Sequence, residues 1–136
     1  MKKIAALLLA VLCFSFWGCG EKAQREDEGE TTAVTYVQIS AEEAKNIMDT
    51  EKDYVIIDAR TQEEFDEGHI EGAILIPEYE IAQRAEKELS DKEQLILVYC
   101  RSGRRSKIAS QALADLGYTN VREFGGIIDW KYETVK

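Results

Sequence analysis

From Tyr36 onward the chain alternates between short apolar runs and capped amphipathic stretches, and this alternation leaves few architectures open to it. In YVIIDA (54–59) and QLILVY (94–99) apolar residues follow one another directly instead of falling at every second position. Strands of that kind need cover on both faces, as in a parallel sheet flanked by helices. YVQI (36–39), GAILI (72–76) stopped by Pro77, and NVREF (120–124) read as three further short strands. Ser40 with Glu43 and Thr61 with Glu64 have capping-box spacing. The first box opens a helix through about Asp49; the second opens a shorter one, with Gly68 expected as its left-handed cap. Helices are also expected from about Glu78 to Leu89 and from Ser106 to Leu116. The latter would set Ile108, Ala109, Ala112, Leu113 and Leu116 on one face, with Gly117 beyond its end. GGIIDWKYE is expected to begin with a turn and finish helical. The fold class is therefore α/β, a mainly parallel central sheet with helices on both faces.

The N-terminus has a different character. Lys2 and Lys3 precede an apolar run from Ile4 to Trp17, and Gly18-Cys19 closes it. That is the layout of a secretory signal, too short to be a comfortable bilayer span. Its end resembles a bacterial lipoprotein signal, in which a small residue precedes a cysteine that is lipidated. Phe16 and Trp17 stand where such signals carry aliphatic and small residues, so plain secretion or an uncleaved anchor is the alternative reading. Residues 20–35, acidic and without periodicity, read as a tether. The organisation expected is a signal peptide over 1–18, a flexible acidic tether over 19–35 and one domain over 36–136. The location implied is extracytoplasmic, in the bacterial cell envelope, held to the membrane through lipid on Cys19 (alternatively soluble and secreted or periplasmic).

Of three cysteines, Cys13 falls in the signal and Cys19 would carry lipid, leaving Cys100 as the only thiol of the folded part. It closes an apolar strand and is followed by Arg101, Ser102, Gly103, Arg104, Arg105 and Ser106. A thiol is a useful nucleophile as thiolate, a form favoured by a helix N-terminus and by nearby cations. A strand that delivers Cys100 to the carboxyl edge of the sheet places it where open α/β sheets bind ligands. Backbone N–H groups of 101–105 can ring the sulfur, with Gly103 allowing a positive φ. Such a cradle suits a small anion or an anionic sulfur. The net charge of −9 argues against nucleic acid as a partner.

CRSGRRS resembles the active-site loop of single-domain rhodaneses, the sulfurtransferases. DARTQEEFDEGHIEGAILIP (58–77) resembles a second segment of that family, and LGYTNVREFGGIIDW resembles its closing stretch. The resemblance spans about Val37 to Lys136. It implies a persulfide cycle: the Cys100 thiolate takes the outer sulfur of a small anionic donor such as thiosulfate and passes it to a thiol or protein acceptor, with neither metal nor organic cofactor.

Other residues have structural readings. Arg105, at C-x-x-x-x-R spacing, could bind substrate or pin the loop; Arg101 or Arg105 is expected to pair with Asp58 or Glu64, and Arg104 to point outward. His69 could serve as a base for Cys100, but in GHIEGA it reads as structural, because a cradled thiolate needs none. Asp58 and Arg60 read as scaffold that orients the loop, and Phe124 and Trp130 as core or pocket-wall aromatics. Two other kinds of function compete with sulfur transfer. Phosphatases and arsenate reductases of the same fold use C-x-x-x-x-x-R, a loop one residue longer; here the position six after Cys100 is Ser106. A non-catalytic or sulfur-relay binding module is the other.

Overall fold

A computed structural model describes residues 35–136 together with Ala33. The expected signal peptide, Cys19 and the tether, apart from Ala33 and Thr35, lie outside the described residues. Five strands, β1 (Val37–Gln38), β2 (Tyr54–Asp58), β3 (Ala73–Leu75), β4 (Leu95–Cys100) and β5 (Val121–Gly126), form one sheet in the order β1-β5-β4-β2-β3. Every pairing is parallel. The helices are α1 (Ala41–Thr50), α2 (Gln62–Glu67), α3 (Ile81–Glu88) and α4 (Arg104–Asp115).

Successive residues of the central strands serve opposite faces. Ile57, Ile96, Val98 and Cys100 pack with Ile81 and Ala85 of α3 and Ala109 and Leu113 of α4. Ile56, Leu97 and Tyr99 pack with Ala44 of α1, Phe124 and the partly buried Trp130. Two cores on one sheet are what the unbroken apolar runs require. Both capping boxes form, Ser40 with Glu43 and Thr61 with Glu64.

Four local expectations are revised. Gly68 does end α2, but at φ 156°, ψ 137° and so outside the left-handed helical region. The stretch after Pro77 begins with a 3-10 turn, Glu78–Glu80, before α3. α4 starts at Arg104, two residues earlier than expected, and Ile108 is exposed while Ser106 and Ser110 are buried. The C-terminal stretch makes only a 3-10 turn, Ile127–Asp129, then continues without regular structure, bending at Tyr132, until Val135 bridges His69 antiparallel.

The register of β4 against β5 slips between Val98 and Cys100: Val98 faces Glu123, but Cys100 faces Gly126. The extra residue lies in β5 beside Gly125, whose φ is +88°. A bulge of this kind re-aims neighbouring side chains. Here it lies directly beside the loop that follows β4.

Candidate active site

Cys100 is the last residue of β4 and 1% exposed. The chain turns through Arg101 and Ser102 to Gly103, which takes φ +103° as the N-cap of α4. Glycine holds that left-handed conformation at little cost, so the helix can begin at once and aim its first N–H groups back at the sulfur. The Gly103 N–H lies 3.0 Å from Cys100 Sγ, and Ser106 Oγ lies 3.4 Å from it. Burial pushes the thiol up, but hydrogen bonds from the Ser106 hydroxyl and from the N–H groups of Ser106, Gly103 and Ser102 outweigh it. The net direction is down.

The loop fits because β5 gives way to it. A methyl group on Gly126 would overlap the Arg101 carbonyl and the Ser102 Cα. The Ile128 N–H donates to that same Arg101 carbonyl at 3.2 Å. On its other side the loop is tied to α2: Arg105 donates a fork of two hydrogen bonds to Glu64, at 2.8 and 2.9 Å. That fork holds the Glu64 carboxyl at about 2, down from 4.5. Of the pairings open from sequence, the structure therefore selects Arg105 with Glu64. Because Glu64 balances Arg105, hydrogen bonds do more than the surrounding cations to favour the thiolate. Arg101 and Arg104 are exposed at the rim, Arg104 as expected, and neither makes an ion pair among the described residues.

Asp58 and Arg60 stand apart from the sulfur. Asp58 is fully buried and accepts from Arg60 Nε and Nη2, the closest contact being 2.7 Å. Arg60 also donates to the Gly68 carbonyl at 2.7 Å, tying the end of β2 to the turn after α2. His69 Nδ1 lies 2.9 Å from the Phe65 carbonyl, its ring stacks on Phe65, and its backbone pairs with Val135. These partners fit the structural reading of His69. Tyr99, Phe124 and Trp130 form a row of ring contacts at 5.4 and 5.7 Å.

Sequence reasoning missed two residues. Tyr99 reads as one more apolar strand residue, yet its hydroxyl donates to Asp58 at 2.6 Å and accepts from the Ile70 N–H. Glu123 reads as an ordinary strand carboxylate, yet it is 2% exposed and accepts from Ser106 Oγ at 2.6 Å. The one available signal was a charged residue inside a strand next to Gly-Gly.

A family model described as a rhodanese-like domain matches residues 40–133. The chain belongs to the rhodanese family. Among relatives, it is 39% identical over 80 residues to the thiosulfate sulfurtransferase PspE of Escherichia coli K12, covering 59% of this chain and 77% of that one. It is 31% identical over 109 residues to a putative sulfur carrier protein, YrkF, of Bacillus subtilis, covering 79% of this chain and 58% of that protein. Among solved structures, an E. coli rhodanese determined with anions superposes with a TM-score of 0.58 at 37% identity, over 61% of this chain and 98% of that one. The α/β fold with a parallel sheet read from the sequence agrees with this family.

Proposed function

We propose that this rhodanese is a sulfurtransferase that carries sulfane sulfur on Cys100. The thiolate attacks the outer sulfur of thiosulfate or a similar donor; the S–S bond of the donor breaks and sulfite leaves with its electron pair. The persulfide left on Cys100 is then attacked at its terminal sulfur by a thiophile, a thiol or carrier protein or, in an assay, cyanide, which restores the thiolate. The observation that carries this reading is the cradle itself. Cys100 Sγ stands at its floor, 3.0 Å from the Gly103 N–H, with the N-terminus of α4 behind it. Backbone donors of that kind suit an anionic terminal sulfur, and the exposed guanidinium groups of Arg101 and Arg104, within four residues of Cys100, suit an incoming sulfonate. The short loop, closed by Arg105 five residues after Cys100, favours a sulfur over a phosphate group.

Intact-mass measurement after thiosulfate treatment should show one added sulfur, removed again by cyanide with release of thiocyanate. Cys100→Ser should gain no sulfur and form no thiocyanate while keeping its circular dichroism. Continued thiocyanate formation by the folded variant would sink the assignment. A second reading, a sulfur carrier that loads once and hands on to a dedicated partner, is favoured by the relative named as a putative sulfur carrier. It predicts loading without multiple turnover on cyanide.

The location belongs to the same proposal. Gly18-Cys19 after an apolar run supports processing before Cys19 and acylation of it, which would place the chemistry outside the cytoplasm on a membrane surface.

A further inference from the structure

Two carboxylates are buried among the described residues, Asp58 and Glu123. Asp58 is answered by the Arg60 guanidinium and the Tyr99 hydroxyl. Glu123 makes no ion pair among the described residues. Its Oε1 takes two hydrogen bonds, from Ser106 Oγ at 2.6 Å and from the Gly125 N–H at 2.8 Å. The same Ser106 oxygen lies 3.4 Å from Cys100 Sγ.

A hydroxyl carries one proton, and that fact couples the three groups. When Glu123 is ionised, the Ser106 proton belongs to the carboxylate, and the contact with sulfur is satisfied only if the thiol donates to Oγ. When Cys100 is a thiolate, the hydroxyl must turn its proton to sulfur. Glu123 then bonds to Oγ only as a carboxylic acid that donates to it. Ser106 Oγ also lies 3.0 Å from the Gly103 carbonyl and 3.4 Å from the Gly125 carbonyl, but Glu123 at 2.6 Å is its shortest contact, and the two arrangements along the Cys100–Ser106–Glu123 line differ by one proton.

We propose that Glu123 accepts the Cys100 thiol proton through the Ser106 hydroxyl, so that one buried negative charge passes between carboxylate and sulfur. The S–H bond breaks and leaves its electron pair on sulfur; that proton joins Oγ as the Oγ–H proton moves to Oε1. Nothing is oxidised or reduced, and the step reverses when the thiolate is protonated again. Glu123 acts through Ser106 and is a positioning residue, and its part in turnover rests on the persulfide reading of Cys100. Two of the other charges nearby are answered, and Arg101, which follows Cys100 directly, is exposed without an ion pair among the described residues. Arg105 of α4, which senses the Cys100 charge, is held by Glu64 of α2, and Asp58 of β2 is held by Arg60. Tyr99 of β4 bonds to Asp58, β1 brings no charged side chain, Arg104 at the start of α4 is exposed, and Glu42, Glu43 and Asp49 of α1 are exposed.

The test is a pH titration of thiolate ultraviolet absorbance in the full-length chain, each protein measured against its Cys100→Ser counterpart so that only Cys100 is read. The native protein should rise in two steps, the signature of a coupled pair. In Glu123→Gln the amide oxygen keeps the Gly125 N–H, and the side chain neither carries a charge nor takes up a proton. A single step should remain, about one pH unit below the native upper step, or about tenfold more thiolate at a given pH beneath it. On a Ser106→Ala background the Glu123→Gln shift should shrink. An unmoved titration in Glu123→Gln overturns the proposal, and so does a shift that persists undiminished without the hydroxyl. If Glu123→Gln does not fold, the native protein decides alone, since a one-step native titration overturns the relay. Sulfur loading is scored separately by mass, so its failure would remove the transfer reading without touching the titration.

Discussion

At the scale of single residues, the Arg105–Glu64 fork is the contact with the clearest pH consequence. The Glu64 carboxyl is held at about 2, below its ordinary 4.5, first by the hydrogen bond from Arg105. A carboxylate whose folded value is depressed contributes stability above its unfolded value and loses it as the pH falls toward the folded one. Native protein and Glu64→Gln should therefore differ in denaturant midpoint at neutral pH, by about 1 kcal/mol for a half-buried pair. The difference should shrink between about pH 4.5 and pH 2; a gap that stays constant over that window would contradict this account. Cys100 was legible in the sequence from the loop that follows it, whereas the spacing of Arg105 left both its role and its partner, Asp58 or Glu64, open until the fold set Glu64 of α2 beside it. Glu123 was not legible, because alternation along β5 puts it on the Val121 face but does not say that the start of α4 brings the Ser106 hydroxyl against it. Tyr99 was hidden differently: in an apolar run its hydroxyl has no visible partner until Asp58 is set beside it by the pairing of β2 with β4.

Among elements, the loop after β4 and the end of β5 share one space. Gly126 has an ordinary φ of −123°, so its lack of a side chain is required by crowding and not by backbone conformation. Gly126→Ala should force the Arg101–Ser102 turn outward, move the Gly103 N–H off the sulfur and lower sulfur-loading rates at least as much as it lowers stability. Loading kinetics and thermal unfolding on the same sample check this; native loading by the variant would mean that the turn adapts. The start of α4 shows why the sequence placed that helix two residues late. Its cap is Gly103 with no side-chain hydrogen bond, so the serine or aspartate that ordinarily marks a helix start is missing. The face that α4 buries runs through Ser106, Ala109, Ser110, Leu113 and Ala114, so Ile108 turns outward and Ser110 inward, where the Ser110 hydroxyl has no partner among the described residues.

For the whole molecule, the unbroken apolar strands announced a covered parallel sheet, and the three motif stretches announced its family. Strand order was another matter, because which strand lies beside which is decided by crossovers that leave no local mark. The proposed anchor also belongs to this scale. Acyl chains on Cys19, joined by an extended tether of on the order of 50 Å, would hold the domain beside the membrane. Full-length protein should then fractionate with membranes, and Cys19→Ser should abolish lipid labelling and release it; a native protein recovered soluble and unlipidated would mean plain secretion. The placement of β1 has a consequence in time. The first strand among the described residues takes the edge of the sheet, and its register partners Arg122 and Glu123 lie in the last. Loop closure across almost the entire domain must precede that pairing, which makes β1 a late arrival in folding. Substitutions that weaken the β1–β5 pairing should accelerate unfolding and leave the refolding rate nearly unchanged in a chevron analysis. Until β5 is made, the residues from Val37 to Gln38 have no place to dock, and the chain must carry its own opening strand unpaired while the rest of the sheet assembles.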